Sequence, residues 1–438
     1  MAGSKGEPAF LAPGQAWEHS RSAVQRKEQG QWPTPWWVVE RSLDVVLKGL
    51  PDAPVILDPA CGDGRWLAAV GLRIPNAKLI GWDLDPQAIA AAQSVLAGAG
   101  LKAELVCRDA LAGQAAPVAD LVLGNPPYIR PQNLPREKRE DYWARFDVLT
   151  DKCDLYAAFV DRMIQLSRGP VAAVLGDTWL SMASYQALRD RVWAQPVEGI
   201  WMLPTGTFGA RIGTLLLHIA QPGSRARGRL TRTGLEPTGT LKMCDGVLPL
   251  VDAPELPGVG VLGDQLRLRM GVVCGSYKDF VHSGPRGPSD EPTCRGKEVQ
   301  RWRIEPNDEW LRYEPRVMLS ARPYVAPKTR ALFDVPEKLV LAGASGTLLR
   351  AAVDTQRRFP LDSCYVSQGA QDVWALCGLL NSAPANAWYG ARFPKARVKA
   401  VELHQLPWPT GDLKQVAEAA RAADQAGVDA AAAAAWGI

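Results

Sequence analysis

Val55-Ile56-Leu57-Asp58-Pro59-Ala60-Cys61-Gly62-Asp63-Gly64-Arg65 is the stretch that decides the fold. An apolar run reaches an acidic residue, breaks into a turn of small residues, and passes into a helical pattern at Arg65. A strand entering a glycine turn and then a helix opens an α/β sheet, with the turn where ligands meet such sheets. The turn does not suit a dinucleotide. Leu67 replaces the third glycine of a G-x-G-x-x-G loop, and Asp58 and Asp63 would repel a pyrophosphate. Acidic residues around a glycine turn suit a cation, and the sulfonium and amino group of S-adenosylmethionine are both cationic. Asp58, Ala60 and Gly62 then belong to the cofactor loop. Asp83, 25 residues after Asp58 and ending the next apolar run, is placed to accept from ribose hydroxyls. Asp109, ending the third run, is placed to accept from the adenine amino group.

Outward from this loop, short apolar runs alternate with helical patterns from Pro54 to Ala220, as in a sheet buried on both faces. The predicted strands are Val55–Asp58, Lys78–Asp83, Ala103–Asp109, Leu121–Asn125, Val171–Asp177, Val197–Leu203 and Thr214–Ala220. The last two are joined by a turn-rich stretch too short for a crossover helix, so they should pair antiparallel. Upstream, Thr34 as N-cap and Pro35 at the first helical position predict a helix over Trp36–Leu50. Gln221–Gly234, with four arginines and three glycines, reads as an exposed connection. Residues 1–250 are thus read as the catalytic domain and 251–438 as a second, irregular α+β domain. The latter ends in an Ala-rich helix over Leu413–Ala435.

Asn125-Pro126-Pro127-Tyr128 closes the fourth predicted strand. An exocyclic amino nitrogen is a poor nucleophile because its lone pair is delocalised. Accepting its two hydrogens, with the Asn125 side-chain oxygen and the Pro126 carbonyl, favours a pyramidal nitrogen whose lone pair can attack a sulfonium methyl. The consecutive prolines fix the acceptors, and Tyr128 offers a face for a planar group. The tetrapeptide alone leaves DNA, RNA and a protein glutamine open as donors of that amino group. No Pro-Cys dipeptide offers a nucleophile for cytosine C5 chemistry, and Cys61 and Cys107 read as packing residues.

The totals narrow the classes. A net charge of +4 confines any nucleic-acid surface to a local patch. No apolar run is long enough to span a membrane, and the N-terminus lacks an apolar signal core. Eight scattered cysteines without a C-x-x-C pair, and four histidines, argue against a metal site or disulfide framework and for a reducing, cytoplasmic setting.

On these residues the chain resembles the gamma-class (Taq-type) site-specific DNA adenine-N6 methyltransferases. Thr34-Pro35 with Val38-Val39, the cofactor loop and Asn125–Tyr128 stand in that family's order. Asp154–Phe159 is similar to its L-Y-x-x-F helix, Thr178-Trp179-Leu180 to its T-W-L segment, and Thr207-Phe208-Gly209 to its F-P segment, with glycine in place of proline. Further on, Arg269–Gly275, Leu376–Ser382 and Leu403–Pro409 resemble its recognition region. The resemblance implies a seven-stranded, Rossmann-like S-adenosylmethionine-dependent sheet followed by a target-recognition domain. It also implies that Thr34 contacts the methionine part of the cofactor and that Phe208 stacks on a flipped adenine with Tyr128.

Two basic clusters, Arg392, Lys395, Arg397 and Lys399, and Arg295, Lys297, Arg301 and Arg303 with Trp302, are the expected phosphate contacts to double-stranded DNA. The competing readings are a release-factor glutamine methyltransferase and an RNA amino-group methyltransferase. The stretch ahead of Thr34 is too short for a fused nuclease, so any cognate restriction endonuclease is expected to be encoded separately.

Overall fold

A computed structural model of the chain describes residues 7–22, 30–113, 116, 118–150, 152–204, 206–208, 213–224, 228–231, 239–240, 248, 254–321, 325–343, 348–367, 372–393 and 398–438. It divides into two compact units, Met1–Pro249 and Leu250–Ile438.

The strands of the first unit are β1 (Val55–Asp58), β2 (Lys78–Asp83), β3 (Glu104–Cys107), β4 (Leu121–Gly124), β5 (Val171–Gly176), β6 (Val197–Met202) and β7 (Thr214–Ile219). Each coincides with a predicted strand to within two residues, because near-continuous apolar runs can be satisfied only by burial on both faces. β1 to β5 run parallel, and β7 lies antiparallel between β5 and β6. The sheet order is β3-β2-β1-β4-β5-β7-β6, extended at the β6 edge by β8 (Arg229–Thr231) and β9 (Gly239–Thr240). The stretch read as an exposed connection therefore supplies a strand, β8, paired parallel with β6 and antiparallel with β9.

The order reverses at the neighbours β1 and β4, so the loops that follow these two strands open into one crevice. Helices α1 (Ala12–His19), α2 (Trp36–Val46), α3 (Arg65–Arg73), α4 (Pro86–Gly98), α5 (Arg136–Arg145) and α6 (Tyr156–Leu166) surround that crevice or cover the sheet. A core of Trp36, Val39, Leu67, Val70, Leu123 and Val174, among others, joins helices to strands. Helix α2 is shorter than predicted, and Thr34 does not cap it. Pro35 is the N-cap and no side chain bonds there.

Among its described residues the second unit holds two four-stranded sheets. One has the order β10 (Arg269–Met270), β17 (Cys364–Ser367), β14 (Lys338–Ala342), β15 (Ala351–Asp354); the other has β11 (Val281–Ser283), β13 (Glu309–Arg312), β12 (Asp290–Cys294), β16 (Phe359–Pro360). Local chemistry explains the Leu380-Asn381-Ser382 segment. Asn381 accepts from the Ala351 N–H at 2.9 Å and donates to the Ala351 carbonyl at 2.8 Å, replacing a strand partner for β15. Ser382 caps the next helix, Ala383–Arg392, by accepting from Ala385. Lys338 and Asp354 form an ion pair with both side chains fully buried. The Ala-rich end is two helices, Lys414–Arg421 and Gln425–Trp436, because Asp424 takes up an N-cap role and accepts from Gly427. Among the described residues no helix is long and apolar enough to cross a membrane.

Candidate active site

A cavity of about 550 Å³ occupies the crevice at the carboxyl ends of β1, β2 and β4. Its wall includes Thr34, Ala60, Gly62, Asp83, Asp109 and Asn125 from the sequence-derived set, and apolar surface from Trp17, Leu84 and Phe159. Spacing along the chain thus brought six separate residues to one space.

The cofactor loop is held from below. Asp58 is buried beneath it: Oδ1 accepts from the Ala60 N–H at 3.1 Å, and Oδ2 is buried with no partner. Desolvation, with repulsion from Asp83 and Asp63, holds the Asp58 carboxyl well above the usual carboxylate range despite the Ala60 hydrogen bond. The carboxylate fits only because residue 124 is glycine. Gly124 has φ 151°, and a Cβ there would stand 2.5 Å from Asp58 Oδ1. Asp83 accepts from the Gly62 N–H at 2.9 Å and the Asp85 N–H at 2.9 Å, which orients it toward the cavity floor. Burial raises its carboxyl too.

Asp63 does not act as a free negative charge. It pairs with Arg65 through hydrogen bonds of 2.7 to 3.1 Å, and the two side chains keep only 4% and 5% of their surface exposed. Arg65 Nη1 also donates to the Thr34 carbonyl at 2.6 Å, and Trp66 Nε1 donates to Thr34 Oγ1 at 3.3 Å. Thr34 is therefore tied to the cofactor loop rather than to its own helix.

The Asn125–Tyr128 tetrapeptide lies under the segment Gly30–Thr34. Asn125 Nδ2 donates to the Trp32 carbonyl at 2.6 Å, which fixes the amide, and Oδ1 is left buried without a partner. The Tyr128 N–H donates to the Gly30 carbonyl at 3.1 Å. Gly30 has φ 62°, and a side chain there would collide with Tyr128 N at 2.5 Å. The Tyr128 hydroxyl donates to the Val174 carbonyl at 3.1 Å, and its ring lies 5.6 Å from Tyr156, which stacks on Tyr185. Burial pushes the Tyr128 phenol up, so it stays protonated. Pro126 is buried, and its carbonyl receives no hydrogen bond among the described residues.

Asp58, Pro126, Tyr128 and Phe208 do not line the cavity. Phe208 is half-buried and packs against the core cluster that contains Trp201 and Leu216. Cys61 is a buried thiol raised well above its ordinary range by desolvation and the neighbouring aspartates, whereas Cys107 is exposed rather than packed. No group of three or more His, Cys, Asp or Glu among the described residues could hold a metal ion.

Two site residues escaped the sequence reading. A Cβ on Gly62 would stand 4.0 Å from the Trp17 ring, which is itself stacked with Arg21 at 4.7 Å. Arg21 in turn bonds Gln31 and Asp85, so α1 straps one side of the cavity. Tyr142, on α5, donates from its hydroxyl to Asp109 Oδ2 at 2.7 Å. Neither belongs to a sequence motif; only the fold brings them in.

The proposed phosphate contacts fare unevenly. Arg392 is buried, donates to the Pro254 carbonyl at 3.0 Å and lies 4.6 Å over Trp388, so it is a structural cation. Lys399 is part-exposed beside Glu402, at 3.8 Å. Arg303 keeps 75% of its side chain exposed while paired with Glu305, and Arg301 reaches Gln425 at 3.5 Å. Lys395 and Arg397 lie outside the described residues.

A parallel sheet with one antiparallel strand inserted, and a cavity over its reversal point holding acidic and amide acceptors, defines a methyltransferase-type domain. Residues 56–135 match the family described as a methyltransferase domain. Residues 114–195 match the Eco57I restriction-modification methylase family, and 291–408 the TaqI-like C-terminal specificity domain. The chain thus carries, in order, a segment similar to restriction-modification methylases and a segment similar to a TaqI-like specificity domain. The Type II methyltransferase M.TthHB8I of Thermus thermophilus is 27% identical over 188 residues, covering 40% of this chain and 42% of that protein. The chain thus spans less than half the length of that relative. A release factor glutamine methyltransferase of Geobacter sulfurreducens is 27% identical over 182 residues, covering 38% of this chain and 62% of that protein. Among solved structures, the Type IIL restriction-modification enzyme MmeI in complex with DNA shares the fold. Its TM-score is 0.68 over 97% of this chain and 78% of that one, at 14% identity.

Proposed function

We propose that the protein transfers a methyl group from S-adenosylmethionine to the N6 amino group of an adenine flipped out of double-stranded DNA, as the modification enzyme of a restriction-modification or defence system. The observation that carries the reading is Asn125: one end of its amide is locked by the Trp32 carbonyl and the other is a buried acceptor without a donor. Leaving such an acceptor unsatisfied costs about 1–3 kcal/mol, a penalty relieved when a donor arrives. A planar amino group supplies that donor.

The residues fit the cofactor. Asp83 and Asp109 line the cavity as acceptors, and Asp58 Oδ2 is a buried orphan acceptor beneath the loop, which suits a ligand with amino groups and a ribose. Thr34, Ala60 and Gly62 would hold its methionine end, Asp83 its ribose and Asp109 its adenine; bound there, it supplies a methyl group on a cationic sulfur. The protein's part is positional. Asn125 Oδ1 and the Pro126 carbonyl accept the two amino hydrogens and turn the nitrogen lone pair outward, and Tyr128, tethered through its hydroxyl, gives the base a fixed face. Because an amide cannot take up the proton that the product releases, that proton passes to solvent.

DNA is favoured over a protein glutamine because residues 291–408, matched by the specificity-domain family, would have no role in glutamine methylation. Lys399 and Arg303 on the surface, with Lys395 and Arg397, are the cations assigned to phosphate; Arg392 and Phe208 are left out. Incubation with methyl-labelled S-adenosylmethionine and, in parallel, genomic DNA, total RNA and release factor tests the reading. Label in DNA alone supports it, and label in RNA or release factor alone overturns it.

A further inference from the structure

The cofactor cavity is closed at the Asp109 end by a segment that the sequence assigns no role. Asn133, Leu134, Pro135, Lys138 and Tyr142 all line it, and all lie between the catalytic tetrapeptide and the end of α5. The segment is anchored to the loop after β3. Tyr142 donates to Asp109 Oδ2 at 2.7 Å, and Arg145 donates to the Leu111 carbonyl at 2.9 Å. Arg162 on α6 donates to the Leu111 and Gly113 carbonyls, each at 3.0 Å. The other Asp109 oxygen, Oδ1, accepts from the Leu111 N–H at 2.9 Å. Each carboxylate oxygen thus holds one donor and keeps a further lone pair free.

We propose that Tyr142 is a positioning residue for the cofactor. Its hydroxyl fixes the plane of the Asp109 carboxylate so that the remaining lone pairs accept from the adenine amino group and reject a 6-oxo purine. The proposal rests on the reading of the cavity as an S-adenosylmethionine site. Without the hydroxyl, Asp109 keeps one tether, at Oδ1, and can turn about its side-chain bonds. A carboxylate held rigidly faces a 6-amino group with attraction and a 6-carbonyl oxygen with repulsion. A carboxylate free to turn relaxes away from the carbonyl and loses that distinction. The same contact ties the adenine end of the cavity to the chain that follows Tyr128. Cofactor binding and the catalytic loop then share α5 as a common support.

The test is titration calorimetry of the whole protein with S-adenosylhomocysteine and with its 6-oxo analogue, S-inosylhomocysteine. The wild type, Tyr142→Phe, Asp109→Asn and the double variant are compared, with circular dichroism confirming the fold of each. Tyr142→Phe should weaken S-adenosylhomocysteine by about tenfold, the size of the adenine amino group's hydrogen bond to Asp109 that a mobile carboxylate no longer secures. It should bring the affinities of the two ligands closer together, and it should add nothing in the Asp109→Asn background. A purely structural loosening weakens both ligands alike and leaves their ratio unmoved; that outcome overturns the proposal. So does a Tyr142→Phe protein that binds as the wild type does. Failure of the wild type to bind S-adenosylhomocysteine at all would instead remove the cofactor reading itself, and this proposal with it.

Discussion

Arg65→Leu removes the positive partner of a carboxylate that is otherwise sealed inside the cofactor loop. The guanidinium meets both oxygens of Asp63 at 2.7 to 3.1 Å, and the pair keeps 5% and 4% of its side-chain surface. Burial works against the Arg65 charge, but the Asp63 carboxylate beside it prevails and raises the guanidinium above its ordinary value. Breaking a buried pair from one side costs about 3–5 kcal/mol because the surviving charge stays desolvated. For a unit of this size that lowers the melting temperature by roughly 10 °C. The same change frees the Thr34 carbonyl, held by Arg65 at 2.6 Å, so cofactor affinity should fall together with stability. Scanning calorimetry suits the measurement, following the transition that S-adenosylhomocysteine shifts upward, which marks the catalytic unit. Removing the charge from both sides, in Asp63→Asn with Arg65→Leu, should recover most of the lost stability. The reasoning is refuted if Arg65→Leu moves the transition by less than about 3 °C, or if the double variant is no better than the single.

Burial pushes His218, on β7 against Trp201, down to about 4. The unfolded imidazole takes its proton near 6.5 and the folded one refuses it until about 4, so stability is full above that window and falls as pH drops through it. The loss amounts to roughly 3 kcal/mol, and urea titrations of His218→Leu from pH 7 to 4 should show it abolished. Lys399→Glu and Arg303→Glu should each weaken DNA binding across sequences and lower the salt slope by about one. Arg392→Ala should leave that slope unchanged and lower the melting temperature, as its burial against Trp388 requires; fluorescence anisotropy at graded salt separates the two behaviours.

What could be read from the sequence divides along physical lines. Strands buried on both faces must be apolar throughout, which is why β1, β2 and β4 to β7 were legible to within a residue at each end. The strand-end positions of Asp58, Asp83 and Asn125 were legible because the apolar runs that precede them end there. Charge was misread where partners came from elsewhere in the fold. Asp63 looked like a free acid until Arg65 folded onto it, and Arg392 looked like a phosphate contact until Trp388 and Pro254 enclosed it. Thr34 suggested a helix cap because its residue type and position fit one, yet Arg65 and Trp66 compete for the same oxygens and win. Trp17 and Tyr142 carry no local signal at all. Their roles arise from α1 and α5 packing across the mouth of a cavity formed by other strands.

Asn125 is the residue proposed to hold an adenine amino group for methylation. Nucleoside mass spectrometry of DNA incubated with S-adenosylmethionine and either wild-type protein or Asn125→Ala tests it directly. The wild type should produce N6-methyladenine. The variant should still bind S-adenosylhomocysteine and DNA while producing essentially none. Methyl groups on cytosine, or N6-methyladenine formed at wild-type rate by Asn125→Ala, would contradict the account.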